Sequence, residues 1–598
     1  MDKRDFALYL GFILIVALAF SLRLYNLDER VFHHDEAAVG YFTYKLFNDG
    51  TYSYDPSFHG PFMYYVTAEM YRRMGDTVYS SRFLPALLGA SMLFLLVPLR
   101  RYLGTRGMVL AAFFFALSPS FLYYSRFYRE DIFISFFILL ALVCAVKYAE
   151  TYAERKYSFL RILYLSLAGI AFASMAALKE NAYIAMALVA FFLLLLFIRE
   201  KWYVGLIGRI KSRDERLLIP AAEGLFFVLV TLIVFSLFYT GDIFNFSGIR
   251  MAVEKALTHW YEMHKIERIG GPYFFYLPII ALYELPVLIF GVLGAAYYGC
   301  CDGKKEKLLT VFLSYLVAVD IMYIIADYYP ALSRYLPISY VPAAIAVFLP
   351  LLVFGILSVL RSRNLFFSFL IYWTVMNLVV YSYVQEKVPW LVLNPLLPLV
   401  IIAAAYAGEI IPRLELRYLK GAVALIVLVI SLSYFAYSSV LLNYYDYTNP
   451  AEPLIQAAQP PQKYSQFLDK FFRISSQYQN QSTEVQVMDT EMETQFLWYL
   501  RHYGNVKWKV NPDAELNAPL IVVHDSDGNE TEADVVQRNL SSGYERLDSA
   551  KMSWYWFKAS DINLDYLLYR KMDGPPGEYR FVLFYKPRII NGSAHTQQ

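Results

Sequence analysis

Two carboxylates, Asp35 and Glu36, stand side by side shortly after the first apolar stretch of the chain, in the sequence HHDEA. His34 precedes them, and His59 follows in the later segment DPSFHGPFMYY. Neighbouring carboxylates suit acid–base chemistry or a divalent cation, because one accepts a proton while the other orients it or shares the metal. The alternative is a solvated loop with a helix cap, and the surrounding sequence has to decide between the two.

Charges of both signs recur at two short connections between apolar stretches, YYSRFYREDIF and SMAALKENAYIAMAL. Their charged residues are Arg126, Arg129, Glu130, Asp131, Lys179 and Glu180. Arginine grips phosphate by bidentate hydrogen bonds, and ionisable residues so close to the bilayer are functional candidates because their burial is costly. The alternatives are snorkelling of the arginines and simple neutralisation of Glu180 by Lys179.

Two later segments offer further candidates at helix entrances. Arg334 lies in ALSRYLP, and Glu386, Lys387, Pro389 and Trp390 lie in YVQEKVPWLVLNPLLP. Together with the earlier clusters, these residues predict an outward-facing cavity of mixed charge above the bilayer.

Apolar helices must position these residues. Of the 598 residues 58% are hydrophobic and only 17% charged, whereas a soluble domain has about a quarter charged. About thirteen stretches reach the roughly 20 apolar residues that a membrane-crossing helix needs. The sequence therefore predicts a polytopic α-helical membrane protein. The predicted spans centre near Ile15, Leu93, Phe115, Leu139, Ala171, Val189, Leu229, Val287, Leu316, Ile345, Ile371, Pro398 and Ile426.

Several function classes are excluded by what the sequence lacks. The 53 basic and 51 acidic residues nearly cancel and form no basic face, which argues against nucleic acid as a partner. The three cysteines predict neither a disulfide framework nor a structural zinc site. The chain has no Walker A loop, G-x-G-x-x-G, H-E-x-x-H or G-x-S-x-G motif, the usual markers of nucleotide, dinucleotide, zinc-hydrolase and serine-hydrolase chemistry.

Lysine and arginine collect at every second connection, which predicts a cytoplasmic N-terminus and external alternate connections. The loop 27–80 and the segment after the last span are therefore predicted to be extracytoplasmic. N-x-[ST] triplets occur only on this side, at Asn245, Asn480, Asn529, Asn539 and Asn591. We expect a membrane domain over 1–442 and a soluble mixed α/β domain over 443–598, with strands at 484–488, 520–524 and 579–585 and helices at 464–478 and 493–502.

The order of these motifs resembles the GT-C membrane glycosyltransferases, in particular the branch of the protein O-mannosyltransferases and the lipid A aminoarabinose transferases. The resemblance is carried by the Asp-Glu pair after the first helix, the later H-x-P element, the R-x-x-R-E-D loop and the C-terminal external domain. More narrowly, HHDEA, FHGPFMYY, YYSRFYREDIF, ALKEN and EKVPWLVLNPLLP look like an archaeal flippase-associated family of the protein N-glycosylation pathway.

The resemblance implies a GT-C fold and transfer of a sugar from a polyprenyl- or dolichyl-phosphate donor, on the outer face of the membrane, to a glycan, lipid or protein acceptor. Asp35 would be the base or a metal-site carboxylate, and Glu36 would assist it. Arg126, Arg129 and Lys179 would hold the departing lipid phosphate. His34, His59, Glu130, Asp131, Glu180, Arg334, Glu386 and Lys387 would bind substrate or support these residues. A divalent cation, Mg²⁺ or Mn²⁺, stays open.

Two alternatives remain beside monosaccharide transfer. A flippase or flippase-associated accessory protein for lipid-linked sugars would also use a charged outward cavity, although no internal repeat of the kind found in transporters is evident. A scaffold whose tail recruits other glycosylation proteins is the third reading. Transfer of a whole oligosaccharide to asparagine is disfavoured, because the W-W-D-Y-G element of oligosaccharyltransferases is missing.

Overall fold

The computed structural model describes residues 3–153, 158–202, 218–263, 274–299, 340–362, 364–384, 387–413, 419–455, 459–488, 490–512, 514–526, 531–554, 564–571 and 577–587. The chain forms two compact units. The membrane unit comprises Met1–Tyr25, Ser53–Val66 and Arg82–Tyr445, and the tail unit comprises Asn26–Tyr52, Thr67–Ser81 and Asp446–Gln598.

Helices, most of them long and apolar, dominate the first three quarters of the chain. Their bounds are Lys3–Leu24, Phe62–Met74, Val78–Ser91, Arg100–Leu117, Pro119–Ser125, Asp131–Ala153, Ser158–Ala176, Asn181–Arg199, Leu218–Thr240, Phe246–Met263, Tyr276–Tyr283, Leu285–Gly299, Tyr340–Arg361, Leu365–Tyr383, Leu393–Ile410 and Leu419–Val440. Among the described residues, nine helical stretches are long and apolar enough to cross a membrane, or ten if one bent pair forms a single span. The prediction of a multi-pass helical membrane protein is confirmed.

The count of about thirteen spans stays a prediction. The span centred near Leu316 lies outside the described residues. The two spans predicted around Leu93 and Phe115 lie in one apolar stretch, Val78–Leu117, which bends at Gly104. Gly104 has φ +69° and ψ 164°, a conformation that a side chain would oppose.

A second bend separates the helices Tyr276–Tyr283 and Leu285–Gly299, which meet at an angle of 112°. Glu284 lies at this break and is fully buried. Its carboxylate accepts hydrogen bonds from the Ser118 hydroxyl at 2.6 Å and the Ser120 backbone N–H at 3.1 Å. Glu284 thereby caps the start of the short helix Pro119–Ser125, where backbone N–H groups lack partners within the helix.

The tail unit contains one mixed six-stranded sheet. Its strands are Val485–Val487, Val506–Lys507, Leu520–Ser526, Glu545–Asp548, Met552–Trp554 and Gly577–Tyr585, and its helices after residue 446 are Tyr464–Ser476, Thr490–Tyr499, Glu532–Asn539 and Leu564–Tyr569. Leu520–Ser526 is central, pairing in parallel with Val485–Val487 and antiparallel with Gly577–Tyr585. Its first four residues are fully buried, as a continuous apolar run predicts. The predicted mixed α/β tail is confirmed.

The first outer loop divides between the two units. The predicted boundary at 442/443 lies close to Asp446, but residues 26–52 and 67–81, predicted as part of the membrane domain, pack with the tail. Val31 belongs to the same buried apolar cluster as Phe471 and Leu520. The reason is hydrophobic burial. Packing Val31 into the core of the tail unit removes its apolar surface from water, which lowers the free energy of the folded state.

Candidate active site

The helix His34–Asp49 presents the acidic pair of the first loop at its N-terminus. Glu36 is fully buried and accepts a hydrogen bond from the His33 backbone N–H at 3.0 Å, while the Asp35 N–H donates to His33 Nδ1 at 3.2 Å. Glu36 Oε1 also lies 3.8 Å from the Arg30 guanidinium. This is a capping box, so Glu36 secures the start of the helix, and Asp35 is the accessible acid of the pair.

Asp35 faces two imidazoles. Its carboxylate oxygens lie 3.2 Å from His34 Nε2 and 3.9 Å from His33 Nδ1, and its side chain is 22% exposed. One ligand atom from each of the three residues lies within 4.8 Å of the others. Two imidazoles and one carboxylate fit a divalent transition metal such as Zn²⁺ or Fe²⁺ better than Mg²⁺ or Mn²⁺, the cations that the resemblance left open, because Mg²⁺ and Mn²⁺ prefer oxygen ligands.

Arg126 caps the C-terminal end of the first membrane helix. Its Nη1 donates to the carbonyls of Leu22 at 2.9 Å, Arg23 at 3.1 Å and Tyr25 at 2.6 Å, and its guanidinium lies 5.0 Å from the Tyr444 ring centre. A cation is stabilised there because the last carbonyls of a helix carry partial negative charge. The sequence predicts Arg126 as a phosphate ligand. In this structure its Nη1 instead donates hydrogen bonds to the carbonyls at the end of the first helix.

Arg129 and Lys179 gather around Trp390. The Arg129 guanidinium lies 4.5 Å and the Lys179 ammonium 5.5 Å from the centre of the indole ring. Each cation is also paired with a carboxylate: Arg129 Nε lies 3.4 Å from Glu130 Oε2, and Lys179 Nζ lies 3.2 Å from Asp131 Oδ2. The motifs R-E-D, K-E-N and V-P-W therefore meet in one cluster, which we call the tryptophan cluster.

The tryptophan cluster contains polar atoms whose hydrogen-bonding capacity is unused. Both carboxylate oxygens of Glu130 and the indole N–H of Trp390 are buried without a hydrogen-bond partner among the described residues. Most buried polar groups in proteins are paired, because leaving one unpaired costs about 1–3 kcal/mol. A hydroxyl-bearing ligand or water would supply what these groups lack, since a carboxylate accepts and an indole N–H donates.

The turn formed by Lys179, Glu180 and Asn181, the K-E-N turn, also contacts His59. The Nδ1 atom of His59 lies 3.0 Å from Glu180 Oε2, and the Tyr54 hydroxyl donates to Glu180 Oε1 at 3.1 Å. Burial raises the pKa of Glu180, but the hydrogen bonds from His59 and Tyr54 outweigh it and leave the pKa below its usual value. Burial and the neighbouring Glu180 raise the pKa of Tyr54. The turn thus holds an ionised carboxylate against an imidazole.

The H-G-P segment is fixed to the same turn by backbone hydrogen bonds. Gly60 N–H donates to the Leu178 carbonyl at 3.0 Å, and Phe62 N–H donates to the Ala177 carbonyl at 2.9 Å. A Cβ atom at Gly60 would lie 2.2 Å from the Ala177 oxygen, so only glycine permits this approach. The backbone therefore holds His59 beside Glu180.

Lys387 takes a structural position. Its ammonium donates to the carbonyls of Tyr381 at 3.2 Å, Ser382 at 2.7 Å and Val384. Burial lowers the pKa of Lys387 to about 8. Lys387 thus caps the end of the helix Leu365–Tyr383.

The remaining predicted site residues, Arg334 and Glu386, lie outside the described residues. Sequence reasoning included Trp390, which contacts the two cations, in the predicted cavity. It gave no site role to Tyr54 or Trp260, which contact Glu180 and His59. The signal at Trp390 was its place within the distinctive EKVPWL segment. Tyr54 and Trp260 had no such signal, because tyrosines and tryptophans are common at membrane interfaces.

Residues 13–247 match the model of a family described as dolichyl-phosphate-mannose-protein mannosyltransferase. No sequence among curated proteins matches the chain significantly. The chain is thus glycosyltransferase-like over about its first two fifths.

Two solved structures are similar to this chain in fold. The archaeal oligosaccharyltransferase AglB from Archaeoglobus fulgidus, in complex with an inhibitory peptide and a dolichol-phosphate, matches with a TM-score of 0.50 and 13% identity over 88% of this chain and 70% of that chain. ArnT from Cupriavidus metallidurans matches with a TM-score of 0.49 and 14% identity over 86% and 92% of the two chains. The likeness to the oligosaccharyltransferase shows that the chain has a GT-C fold. The narrower resemblance to the archaeal flippase-associated family stays a prediction.

Proposed function

We propose that the protein is a membrane glycosyltransferase that moves a sugar from a polyprenyl- or dolichyl-phosphate donor to a glycan, lipid or protein acceptor on the extracytoplasmic face. The observation that supports the proposal is the tryptophan cluster. There, three sequence motifs of the predicted site place Arg129 and Lys179 beside Trp390. Cations held before the substrate arrives stabilise negative charge that grows on a leaving group without further reorganisation.

In the proposed reaction, the acceptor oxygen attacks the anomeric carbon of the donor. The bond between that carbon and the phosphate oxygen breaks, and its electron pair stays with the lipid phosphate. Arg129 and Lys179 bind this phosphate, while Glu130 and the Trp390 indole N–H bind hydroxyls of the donor head. A single displacement of this kind inverts the sugar.

Asp35 has the role of a base or a metal-site carboxylate in this proposal. The two histidines beside it favour the second role. His33, His34 and Asp35 would hold a divalent metal, which as a Lewis acid supplies positive charge to a phosphate or hydroxyl oxygen. Glu36 and Arg30 would keep these ligands in place through the capping box.

An apolar cavity in the membrane unit supports a lipid-linked donor. Its volume is about 720 Å³, and its walls come chiefly from the helices Asp131–Ala153, Asn181–Arg199 and Leu365–Tyr383. Along the first of these helices it extends from Ile138 to Ala149, about 16 Å at 1.5 Å per residue. Ile138 lies about two turns after Asp131, so an isoprenoid chain in the cavity would end near the Lys179–Asp131 pair.

The extracytoplasmic assignment is part of the proposal. It rests on the lysine and arginine distribution, which predicts a cytoplasmic N-terminus and an external tail. A cysteine-accessibility experiment on the exposed residue Tyr569, changed to Cys in intact cells, tests it: an external tail reacts with a membrane-impermeant maleimide, and an internal tail does not.

The test of the function is transfer of radiolabelled sugar from a polyprenyl-phosphate donor to a membrane extract, with wild type and Asp35→Asn at equal expression. We expect a loss of at least about 10²-fold, because an amide neither accepts a proton nor binds a divalent cation as a carboxylate does. Asp49→Asn, at the exposed far end of the same helix, is the matched control and should retain transfer. Equal transfer by wild type and Asp35→Asn would make Asp35 a structural residue.

One observation favours the second candidate, a flippase. The broken span places the buried carboxylate Glu284 at a helix break within the membrane unit, a feature of many transporters. Reconstituted vesicles with a fluorescent lipid-linked sugar separate the two functions. A flippase exposes the label to an external quencher without any acceptor, and this exposure falls in Glu284→Gln. A glycosyltransferase shows acceptor-dependent transfer instead.

A further inference from the structure

His59 has a backbone conformation that non-glycine residues rarely adopt. Its φ is +65° and its ψ is −165°, a region populated almost only by glycine. Conformations of this kind persist only where the surroundings enforce them, and they concentrate at functional sites. The residue is also 8% exposed and carries a titratable ring. These features make His59 a candidate functional residue.

The surroundings of His59 enforce one orientation of its ring. Its backbone N–H donates to the Pro56 carbonyl at 3.3 Å, and the next residues are bonded to the carbonyls of Leu178 and Ala177. The imidazole lies parallel to the Trp260 indole, with ring centres 5.8 Å apart and an angle of 7° between the planes. Backbone, stacking and the Glu180 contact together leave the ring little freedom.

The Glu180 contact determines which ring nitrogen is available. Glu180 accepts hydrogen bonds with both oxygens, one from Tyr54 and one at His59 Nδ1. A carboxylate can only accept, so Nδ1 carries the proton and the lone pair of the neutral ring is on Nε2. A histidine whose Nδ1–H is held by a carboxylate is the arrangement that enzymes use for a general base.

We propose that His59 is the general base of the transfer reaction and that Glu180 is its positioning residue; this inference rests on the proposed glycosyltransferase function. Nε2 takes the proton of the acceptor hydroxyl as its oxygen bonds to the anomeric carbon. The C–O bond to the phosphate breaks with its electron pair on the lipid phosphate. The imidazolium is stabilised by Glu180 and releases its proton to water after the product leaves.

The other acids of the predicted site are less suited to this step. Glu130 and Asp131 are each paired with a cation in the tryptophan cluster, and Glu36 is a buried helix cap. Asp35 stands between two imidazoles in an arrangement that fits a metal. The two assignments are compatible: Asp35 belongs to the metal-type group, and the His59–Glu180 pair accepts the proton.

The decisive variant is His59→Gly, because it removes the imidazole at a backbone conformation that glycine adopts without strain. Relief of the backbone strain offsets part of the stability lost with the Glu180 and Trp260 contacts, and thermal unfolding checks that the variant is folded. Transfer should fall by about 10²–10⁴-fold. Added imidazole should restore at least a tenth of the lost activity in this variant, because a small base can enter the space that the ring leaves.

Two controls separate a base from a structural residue. Lys509→Gly removes another side chain with positive φ, at an exposed position, and should neither lose transfer nor respond to imidazole. Glu180→Gln keeps the size of the positioning side chain but not its charge, and its reduced transfer should not respond to imidazole. A loss of transfer in folded His59→Gly that imidazole does not restore would overturn the proposal.

The same assay distinguishes failure of this inference from failure of the function. If wild type transfers sugar and Asp35→Asn does not, while His59→Gly keeps full activity, the glycosyltransferase stands and the base is another group. If wild type transfers no sugar from a panel of polyprenyl-phosphate donors, the proposed function fails, and the role of His59 as its base fails with it.

Discussion

Two pairs of adjacent acids, Asp35–Glu36 in the tail unit and Glu130–Asp131 in the membrane unit, look alike in the sequence but are held differently. In the first pair Glu36 is a buried helix cap, and the side chain of Asp35 is 22% exposed. In the second pair both side chains are at most 3% exposed, and each lies against a cation. Asp35 is therefore the most exposed of the four acids, and in the proposed reaction Glu130 meets the donor only inside the buried tryptophan cluster.

The difference reflects two ways of stabilising a buried carboxylate. A helix N-terminus offers backbone N–H groups, which satisfy one acid and leave its neighbour to point outward. A site without such groups needs a cation for each acid, because an unpaired buried charge costs several kcal/mol. We therefore expect the first pair to respond to substitution residue by residue, and the second pair to respond together with its cations.

The largest effect should come from breaking a pair in the membrane unit. Lys179→Met leaves Asp131 as a buried charge without its partner, which should lower the free energy of unfolding by about 3–5 kcal/mol. Lys147→Met removes a cation from a more exposed pair, Lys147–Glu150, later in the helix that begins at Asp131. Its effect should stay below about 1 kcal/mol. Equal effects on thermal unfolding in detergent would show that burial does not distinguish the pairs.

A smaller effect should follow from disturbing the helix that carries Asp35. Gly40 of that helix faces Trp498, and a Cβ atom there would lie 2.9 Å from the indole and 3.1 Å from Phe32. We expect Gly40→Ala to cost about 1–3 kcal/mol through overpacking, reduced by the higher helix propensity of alanine. Gly11→Ala, in a helix where nothing lies within 4 Å of the added atom, is the control and should be neutral or stabilising.

A sugar-transfer measurement on Gly40→Ala sharpens this prediction. If the contact with Trp498 positions Asp35, transfer at saturating donor should fall more than the apparent donor affinity. If stability falls while transfer per folded molecule stays unchanged, the packing behind the helix has no part in the reaction.

Much of this arrangement could be predicted from sequence, because it follows from local patterns. Long apolar runs predict membrane helices, and the run Leu520–Val523 predicts a central strand, since burial on both faces needs no polar alternation. The clusters around Asp35, Arg129 and Lys179 were recognisable because charges at the ends of apolar helices are rare. These features depend on neighbours in the chain.

The rest depended on contacts between distant segments. Nothing in the residues around Arg126 indicates that its guanidinium reaches the carbonyls at the end of the first helix. The burial of Val31 in the core of the tail unit likewise joins segments more than 400 residues apart in the chain. The conformation of His59 is fixed by backbone atoms of Leu178 and Ala177, which carry no side-chain signal. Sequence patterns do not encode such partners.

A direct test of the first acid pair compares the same isosteric change at adjacent residues. Glu36→Gln keeps an oxygen that accepts the His33 N–H but removes the charge near Arg30, so we expect a loss of about 1 kcal/mol in stability. Transfer should fall less than tenfold, in contrast to Asp35→Asn. Thermal unfolding and the transfer assay measure the two effects. A large loss of transfer with unchanged stability in Glu36→Gln would show that both acids take part in the reaction.

The smallest expected effect concerns pH in the tail unit, where Asp76 pairs with the guanidinium of Arg501 and also with the imidazole of His502. His502 Nε2 lies 2.9 Å from Asp76, and its Nδ1 lies 3.2 Å from the Tyr44 hydroxyl on the helix that carries Asp35. Burial and the nearby Arg501 lower the pKa of His502, although Asp76 opposes the shift. The unfolded chain therefore binds this proton more readily than the folded chain does.

The sign of the pH effect follows from that difference. The contribution of His502 to stability is complete above the unfolded pKa of about 6.5 and is lost as the pH falls through the folded pKa below it. We expect the midpoint of thermal unfolding to fall between about pH 7.5 and 5.5, and to fall less in His502→Gln, which cannot be protonated. If wild type and His502→Gln show the same pH dependence, the titrating group is not His502. The contact between Tyr44 and His502 then does not make the packing of the helix His34–Asp49 sensitive to pH.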